Sequence, residues 1–318
     1  MTLQIPESDT WYIYDSTKIQ DYLDCPRQYF YKYILGWRHV DPNVHLEFGE
    51  AWHLAMEHLL CFGYSDKSCL QAHAKLSKHY RKFFTEETDG IRYPKVPGMA
   101  LAALARYVQH YKNDAFNVLY TEIAGTVPIT ESDVVHFRMD SIMDNIEGIQ
   151  SLEHKTGSQL SRQWRDQWML SVQTGTYNHV LYCLFPPERV YGVVINGAIF
   201  KKKEVEFERV PARRPKAMMN DWHWNVCQYV DDIKWDTERI KKCDAADDVM
   251  MCFQKNPQSC TKYFGCEFHQ FCTSWANPLA HCEQPPFDYE IKHWNPADRE
   301  GIKQTFDFSR KEIKEVIA

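Results

Sequence analysis

With 318 residues, 44% of them hydrophobic and 25% charged, the composition is that of one large or two ordinary folded domains and excludes a disordered or collagen-like chain. No apolar run reaches the roughly 18 residues of a membrane span, and MTLQIPESDTW has no basic start leading into an apolar segment, so a soluble, cytoplasmic protein without a membrane partner is expected. A formal charge of -6 excludes a general polyanion coat but leaves room for a local basic patch or an acidic metal centre.

Residues 16–32 read as a helix with Ser16 as its N-cap and Pro26 interrupting it. Residues 50–60 form an amphipathic helix with Trp52, Ala55, Met56 and Leu59 on one face, and Glu50, His53 and Glu57 on the other. Helical patterns continue over 65–84 and 99–113, on either side of Pro94, Pro97 and Gly98. From 118 the period changes to two. Residues 118–129, 133–143 and 148–155 read as strands, and 163–184 as one long helix stopped by Pro186 and Pro187. Strands at 190–200 and 203–210 follow, then a helix at 217–243 and a tail ending in a short amphipathic helix. The order predicts an α/β fold, a mixed central sheet flanked by helices. Its parts are an N-terminal helical region (1–117), a core (118–243), a cysteine segment (244–282) and a tail (283–318), integrated as a single domain.

The chemistry concentrates in HFRMDSIMDNIEGIQSLEHKTGS, residues 136–158. If the chain turns between Ile146 and Glu147, Asp140 falls across from Glu153 in an antiparallel pair. Alternation then puts Lys155 on the same face as Glu153, with Leu152 and His154 on the other. Two adjacent carboxylates repel unless a cation lies between them, and a hard divalent ion is the natural occupant. A lysine beside it can orient or deprotonate the attacking water. Taken alone, the pattern also fits a surface cross-strand salt bridge.

Further residues resemble the PD-(D/E)XK nuclease superfamily, in its RecB-like branch. Asp140 and Glu153-x-Lys155 stand on adjacent strands, and GEAWHLAMEHLL supplies an upstream helix with Gly49 and His53. Gln173 and Tyr177 match the branch's Gln-x-x-x-Tyr, and Glu122 in LYTEIAG is the candidate acid of the first core strand. Met139 stands where the family name has Pro. The resemblance implies Mg²⁺ or Mn²⁺ held by His53, Asp140, Glu153, the main-chain carbonyl of His154 and Glu122. Lys155 would act on the water, and Gln173 and Tyr177 would fix the water or the scissile strand.

Of eleven cysteines, Cys61, Cys69, Cys183, Cys227, Cys243 and Cys252 stand singly among apolar or helical neighbours. Cys260, Cys266 and Cys272 are regularly spaced with five residues between successive members, which points to metal binding rather than a disulfide framework. A subset of RecB-like nucleases, including the CRISPR adaptation and AddB-type nucleases, carries a four-cysteine iron–sulfur cluster. Cys25 in YLDCPRQYFYKY resembles its isolated upstream ligand. The resemblance thus implies a [4Fe-4S] cluster on Cys25, Cys260, Cys266 and Cys272, with structural Zn²⁺ as the competitor and Cys282 as a substitute ligand.

It implies as well an exonuclease for single-stranded DNA or DNA ends, in recombination, repair or phage DNA processing, in a bacterial or phage-infected cytoplasm and with helicase or recombination partners. Lys201, Lys202, Lys203, Arg213 and Arg214 lie in a locally basic segment and are candidate nucleic-acid contacts, or else charges guarding a hairpin edge. Trp37, Trp52, Tyr64, Trp164 and Trp168 are candidate stacking platforms. An inactive DNA-binding subunit and a zinc-stapled interaction protein are the other two classes.

Overall fold

The computed structural model describes residues 5–262 and 265–298 and the strand backbones Gln304–Asp307 and Glu312–Glu315. The chain divides into two compact units, one of residues 1–41, 128–137 and 220–299, the other of residues 42–127, 138–219 and 300–318.

The first unit opens with β1 (Tyr14–Asp15), α1 (Ser16–Asp24), α2 (Pro26–Tyr29), a π-helical turn over Phe30–Ile34, and β2 (Trp37–His39). The helix starts one residue earlier than expected. Asp15 is its N-cap, accepting at 2.8 Å from the amide of Lys18, and Ser16 is the first helical residue. Pro26 breaks the helix at Cys25, whose extended backbone separates α1 from α2.

In the second unit, α3 (Val44–Phe62), α4 (Asp66–Tyr80), α5 (Asp89–Arg92) and α6 (Pro97–His110) precede β3 (Asn117–Pro128). Phe48, Trp52, Met56 and Leu59 recur at helical spacing on α3 and pack with Leu76 and Tyr80 of α4 and Leu104 and Tyr107 of α6. Each such buried side chain contributes about 1.5–3 kcal/mol, enough to anchor α3 against the sheet. Trp52 is therefore core, not a stacking platform.

β4 (Val134–Asn145) begins in the first unit and continues into the second, then pairs antiparallel with β5 (Gly148–Gly157). Ile142 pairs with Ser151 and Asn145 with Gly148, the register expected from the turn. The long helix expected over 163–184 is two helices, α7 (Arg162–Asp166) and α8 (Val172–Leu184). Ser161 and Ser171 cap each one separately, and the Thr174 hydroxyl donates to the carbonyl of Trp168, closing the break.

β6 (Val190–Phe200) runs parallel to β5 and antiparallel to β7 (Val205–Ala212). The long α9 (Lys216–Ile240), α10 (His269–Ser274) and β8 (Tyr289–Ile291) follow, and β8 pairs with β2 beside a buried Trp37. The tail is not helical where its backbone is described. β9 (Gln304–Asp307) lies parallel to β3, and β10 (Glu312–Glu315) antiparallel to β9. Alternation in QTFD and EIKE fits strands as well as helix, and the open edge of β3 supplies the hydrogen bonds that decide. The sheet order is β10-β9-β3-β4-β5-β6-β7, with β1 parallel to β4, a mixed sheet flanked by helices.

Candidate active site

β4 and β5 bring Asp140, Glu153 and Lys155 together, the two acids buried and the lysine half-buried. Asp140 accepts at 2.7 Å from the main-chain N–H of His154 across the strand pair, and its other oxygen lies 2.8 Å from Nδ1 of His53 on α3. Lys155 Nζ donates to Oε1 of Glu153 at 2.8 Å. Gln173, on α8, donates to the same oxygen at 3.3 Å and to the Tyr177 phenol at 3.0 Å. That phenol donates in turn to the carbonyl of Arg138. Glu122 on β3 completes a three-ligand group with His53 and Asp140, whose donor atoms lie within 4.8 Å of one another.

Two features bear on how well a cation fits here. Oε2 of Glu153 is buried with no hydrogen-bond partner, an arrangement that costs about 1–3 kcal/mol unless something positive meets it. Glu122 holds φ at 51°, in the left-handed region that non-glycine residues rarely enter. The residues therefore fit a divalent ion.

The charges agree. Burial raises the Glu153 carboxyl, and Asp140 beside it adds to the rise. Burial likewise pushes Glu122 up to about 7, Asp140 again contributing, with Arg138 opposing. Burial would raise Asp140 too, but the His53 ring outweighs it, by charge and hydrogen bond, and holds Asp140 below the usual carboxylate range. His53 and Lys155 are both raised despite burial, His53 chiefly by Asp140 and Lys155 chiefly by Glu153. The site is thus three ion pairs, His53 with Asp140, Lys155 with Glu153 and Arg138 with Glu122, in which Oε2 of Glu153 is left without a partner.

Sequence reasoning missed Arg138, whose Nε donates to Glu122 at 2.6 Å. Its signal was strand alternation, since Arg138 stands two residues before Asp140 on the same strand. It also missed the network behind His154. Burial drops that imidazole to about 3, and its Nδ1 lies 2.9 Å from Nδ2 of Asn196, which also donates to the Tyr107 hydroxyl at 2.8 Å. This neutral ring holds the strand that carries Glu153 and Lys155.

The basic segment divides. Lys202 and Lys203 are exposed, while Lys201 pairs with Glu206. Arg213 donates to the Tyr191 carbonyl at 3.1 Å, and buried Arg214 donates to the carbonyls of Met169 and Ser171, each at 2.8 Å. Trp164 and Trp168 are half-buried in an edge-to-face pair, and Tyr64 packs against the helical core.

In the first unit, Cys25, Cys260, Cys266 and Cys272 line one cavity of about 190 Å³ with Gln28, Lys255 and Phe268. Cys282 does not line it, and its thiol donates to the Pro278 carbonyl at 2.9 Å. Cys25 Sγ accepts from the amide of Asn256 at 3.4 Å, and Lys255 Nζ donates to the Cys272 carbonyl at 2.6 Å. Burial pushes the Cys266 thiol up to about 11 and raises that of Cys272, against the lowering by Arg27 and Lys255. Cys243 and Cys252 are not single as expected; their sulfurs lie 3.7 Å apart.

The mixed sheet and its flanking helices define a restriction-endonuclease-like α/β protein. A family model of the PD-(D/E)XK nuclease superfamily matches residues 16–273, and the chain belongs to that superfamily. The family is one of nucleases that use divalent metal. No curated protein matches the chain. Among solved structures, the chain is similar to SSO0001 in its crystal structure, at 12% identity and a TM-score of 0.27, over 70% of this chain and 78% of that one. No helix among the described residues is long and apolar enough to cross a membrane.

Proposed function

We propose that the protein is a RecB-like deoxyribonuclease with an iron–sulfur cluster, an exonuclease acting on single-stranded DNA or DNA ends. The observation that carries the active-site reading is the buried, unpartnered Oε2 of Glu153 beside Asp140 and His53. His53, Asp140, Glu153, the main-chain carbonyl of His154 and Glu122 would hold Mg²⁺ or Mn²⁺. Such an ion makes hydroxide accessible near neutral pH and offsets charge on phosphoryl oxygens. Lys155, held as its ammonium by Glu153, orients the attacking water and offsets charge on the phosphoryl oxygens. Gln173 aligns Glu153, and Tyr177, tied to the Arg138 carbonyl, fixes α8 against β4. Arg138 offsets the charge of Glu122.

The four cavity-lining cysteines would hold the cluster. Thiols raised by burial stay protonated without a cation, so loading releases protons and couples the site to folding. Zinc at about 2.3 Å per bond needs thiolates less than about 4 Å apart. Among the described residues, the groups with three ligand atoms within 4.8 Å of one another do not include these cysteines, which suits a larger cluster better.

A groove that reads phosphates gives cleavage with little dependence on sequence and a strong dependence on salt. Lys202 and Lys203 remain the candidate phosphate contacts of the basic segment, and Trp164 and Trp168 the candidate stacking residues. The test is Mn²⁺-dependent digestion of linear single-stranded, linear duplex and covalently closed circular DNA. Preference for linear single strands is expected. Cutting of closed circles at defined sequences replaces the exonuclease with an endonuclease, and binding without cleavage of any substrate replaces it with an inactive DNA-binding subunit.

A further inference from the structure

The second unit holds another group of ligand atoms outside the catalytic set. Glu47 and Glu50 lie on α3, three residues apart and so on one face, and His79 lies in the last turn of α4. One donor atom from each falls within 4.8 Å of the others. His79 is only 9% exposed, and its Nε2 is buried without a hydrogen-bond partner. It stands 3.5 Å from Oε2 of Glu47, close enough for attraction but too far for a good hydrogen bond. A buried ring nitrogen that faces the Glu47 carboxylate without a hydrogen bond, with a donor atom of Glu50 within 4.8 Å, leaves a position that a cation can fill.

We propose that Glu47, Glu50 and His79 form a second divalent-metal site, which clips α3 to α4. The imidazole beside two carboxylates favours a transition ion, Zn²⁺ or Mn²⁺, over Mg²⁺ or Ca²⁺, which prefer all-oxygen ligands. Glu50 is exposed, so the remaining coordination positions open to solvent and take water. The ion has a consequence for the catalytic group. Glu50 precedes His53 by one helical turn, its charge acts on Arg138, and neighbouring Gly49 approaches Thr156, the residue after Lys155. Fixing this turn of α3 fixes where His53 meets Asp140. The three residues are positioning residues, since none of them touches the reacting atoms.

The experiment counts ions in the full chain. Asp140→Ala removes a catalytic ligand, and Mn²⁺ titration of that variant by calorimetry should still show one ion bound. Adding His79→Gln should remove that ion or weaken it at least tenfold. Adding the exposed Glu50→Gln should do the same, which guards against a folding defect at the buried position. Mg²⁺ should bind the Asp140→Ala protein at least tenfold more weakly than Mn²⁺. In the otherwise native chain, Mn²⁺ should raise the melting temperature more than in His79→Gln, with the two metal-free values alike. An Asp140→Ala protein that binds no Mn²⁺, or binding unchanged by both His79→Gln and Glu50→Gln, overturns the site. Loss of cleavage in Asp140→Ala with this second ion retained separates the proposal from the catalytic reading, which can fail without it.

Discussion

Lys155 Nζ lies 2.8 Å from Oε1 of Glu153, two positions earlier on the same strand, and leaves Oε2 of that carboxylate without a partner. Strand alternation fixes the pairing, because residues two apart share a face. The lysine therefore offsets one oxygen and leaves the other open to the proposed cation. Asp140 is arranged similarly, one oxygen held by the His154 amide and the other turned to His53.

That division of labour separates two kinds of variant. Lys155→Ala should lower the cleavage rate by about 10²–10⁴-fold, the usual worth of a positioned acid or base, while Mn²⁺ still binds. Asp140→Ala and Glu153→Ala should lose cleavage and also the catalytic ion. Cleavage rates read beside calorimetric Mn²⁺ titration distinguish them. Full Mg²⁺-dependent cleavage by either acid variant would show that the chemistry lies elsewhere.

As a ligand of the proposed catalytic ion, Glu122 would give its binding a pH dependence. Burial and the Asp140 charge hold its carboxyl near 7, so below that pH a proton occupies the oxygen that the ion needs. Mn²⁺ affinity should therefore fall at least tenfold per unit as pH drops below 7, since His53, which Asp140 holds protonated, must also release its proton to the ion. Glu122→Gln should bind Mn²⁺ more weakly and lose the part of this slope that Glu122 contributes. Equal slopes in the two proteins would remove Glu122 from the ligand set.

Much of this was legible in the sequence, and the reasons differ by element. The Asp140–Glu153 register could be read because the turn at residues 146–147 and the period-two pattern admit one alignment with both acids on a face. The α7–α8 break could not, because helical spacing continues through Trp168 and Leu170 and only the Ser171 cap and the Thr174 hydroxyl interrupt it. The tail was misread since four-residue segments fit strand and helix equally well, and pairing of β9 with β3 and of β10 with β9 decides them. The Arg214 charge looked like a phosphate contact until its guanidinium was found holding the carbonyls of that same break.

Lys95 should make the protein more stable when removed. It is 6% exposed, and burial alone lowers its pKa from 10.5 to about 8. Between those values the unfolded chain holds a proton that the folded chain releases, so this contribution to stability rises with pH from 8 toward 10.5 and is at its least favourable below 8. Lys95→Met should raise stability at pH 7 by about 1–3 kcal/mol and flatten the rise above pH 8. Part of that rise should remain, because buried Lys18 is lowered to about 8 in the same direction. Urea unfolding at pH 7 and pH 9.5 reads both effects. A Lys95→Met protein less stable than the parent at pH 7 would mean that the ammonium has a stabilising partner.

The four-cysteine cavity makes the firmest prediction about composition. Protein purified without air should be brown and contain iron and sulfide, because four thiols share one cavity and two of them are held protonated by burial unless a cation takes their place. Cys25 comes from the α1–α2 junction, and the other three lie more than two hundred residues later in the chain. A cluster therefore closes a very long loop, and its loss should lower stability by a few kcal/mol. Cys25→Ala should come out colourless, with iron and sulfide both lost and a lower melting temperature. Cys282→Ala should stay brown, since its sulfur is bonded to the Pro278 carbonyl and lines no part of the cavity. Iron, sulfide and zinc analysis of the three proteins decides the matter. A colourless parent holding one zinc per chain would replace the cluster with a structural zinc and leave the Asp140–Glu153–Lys155 nuclease standing.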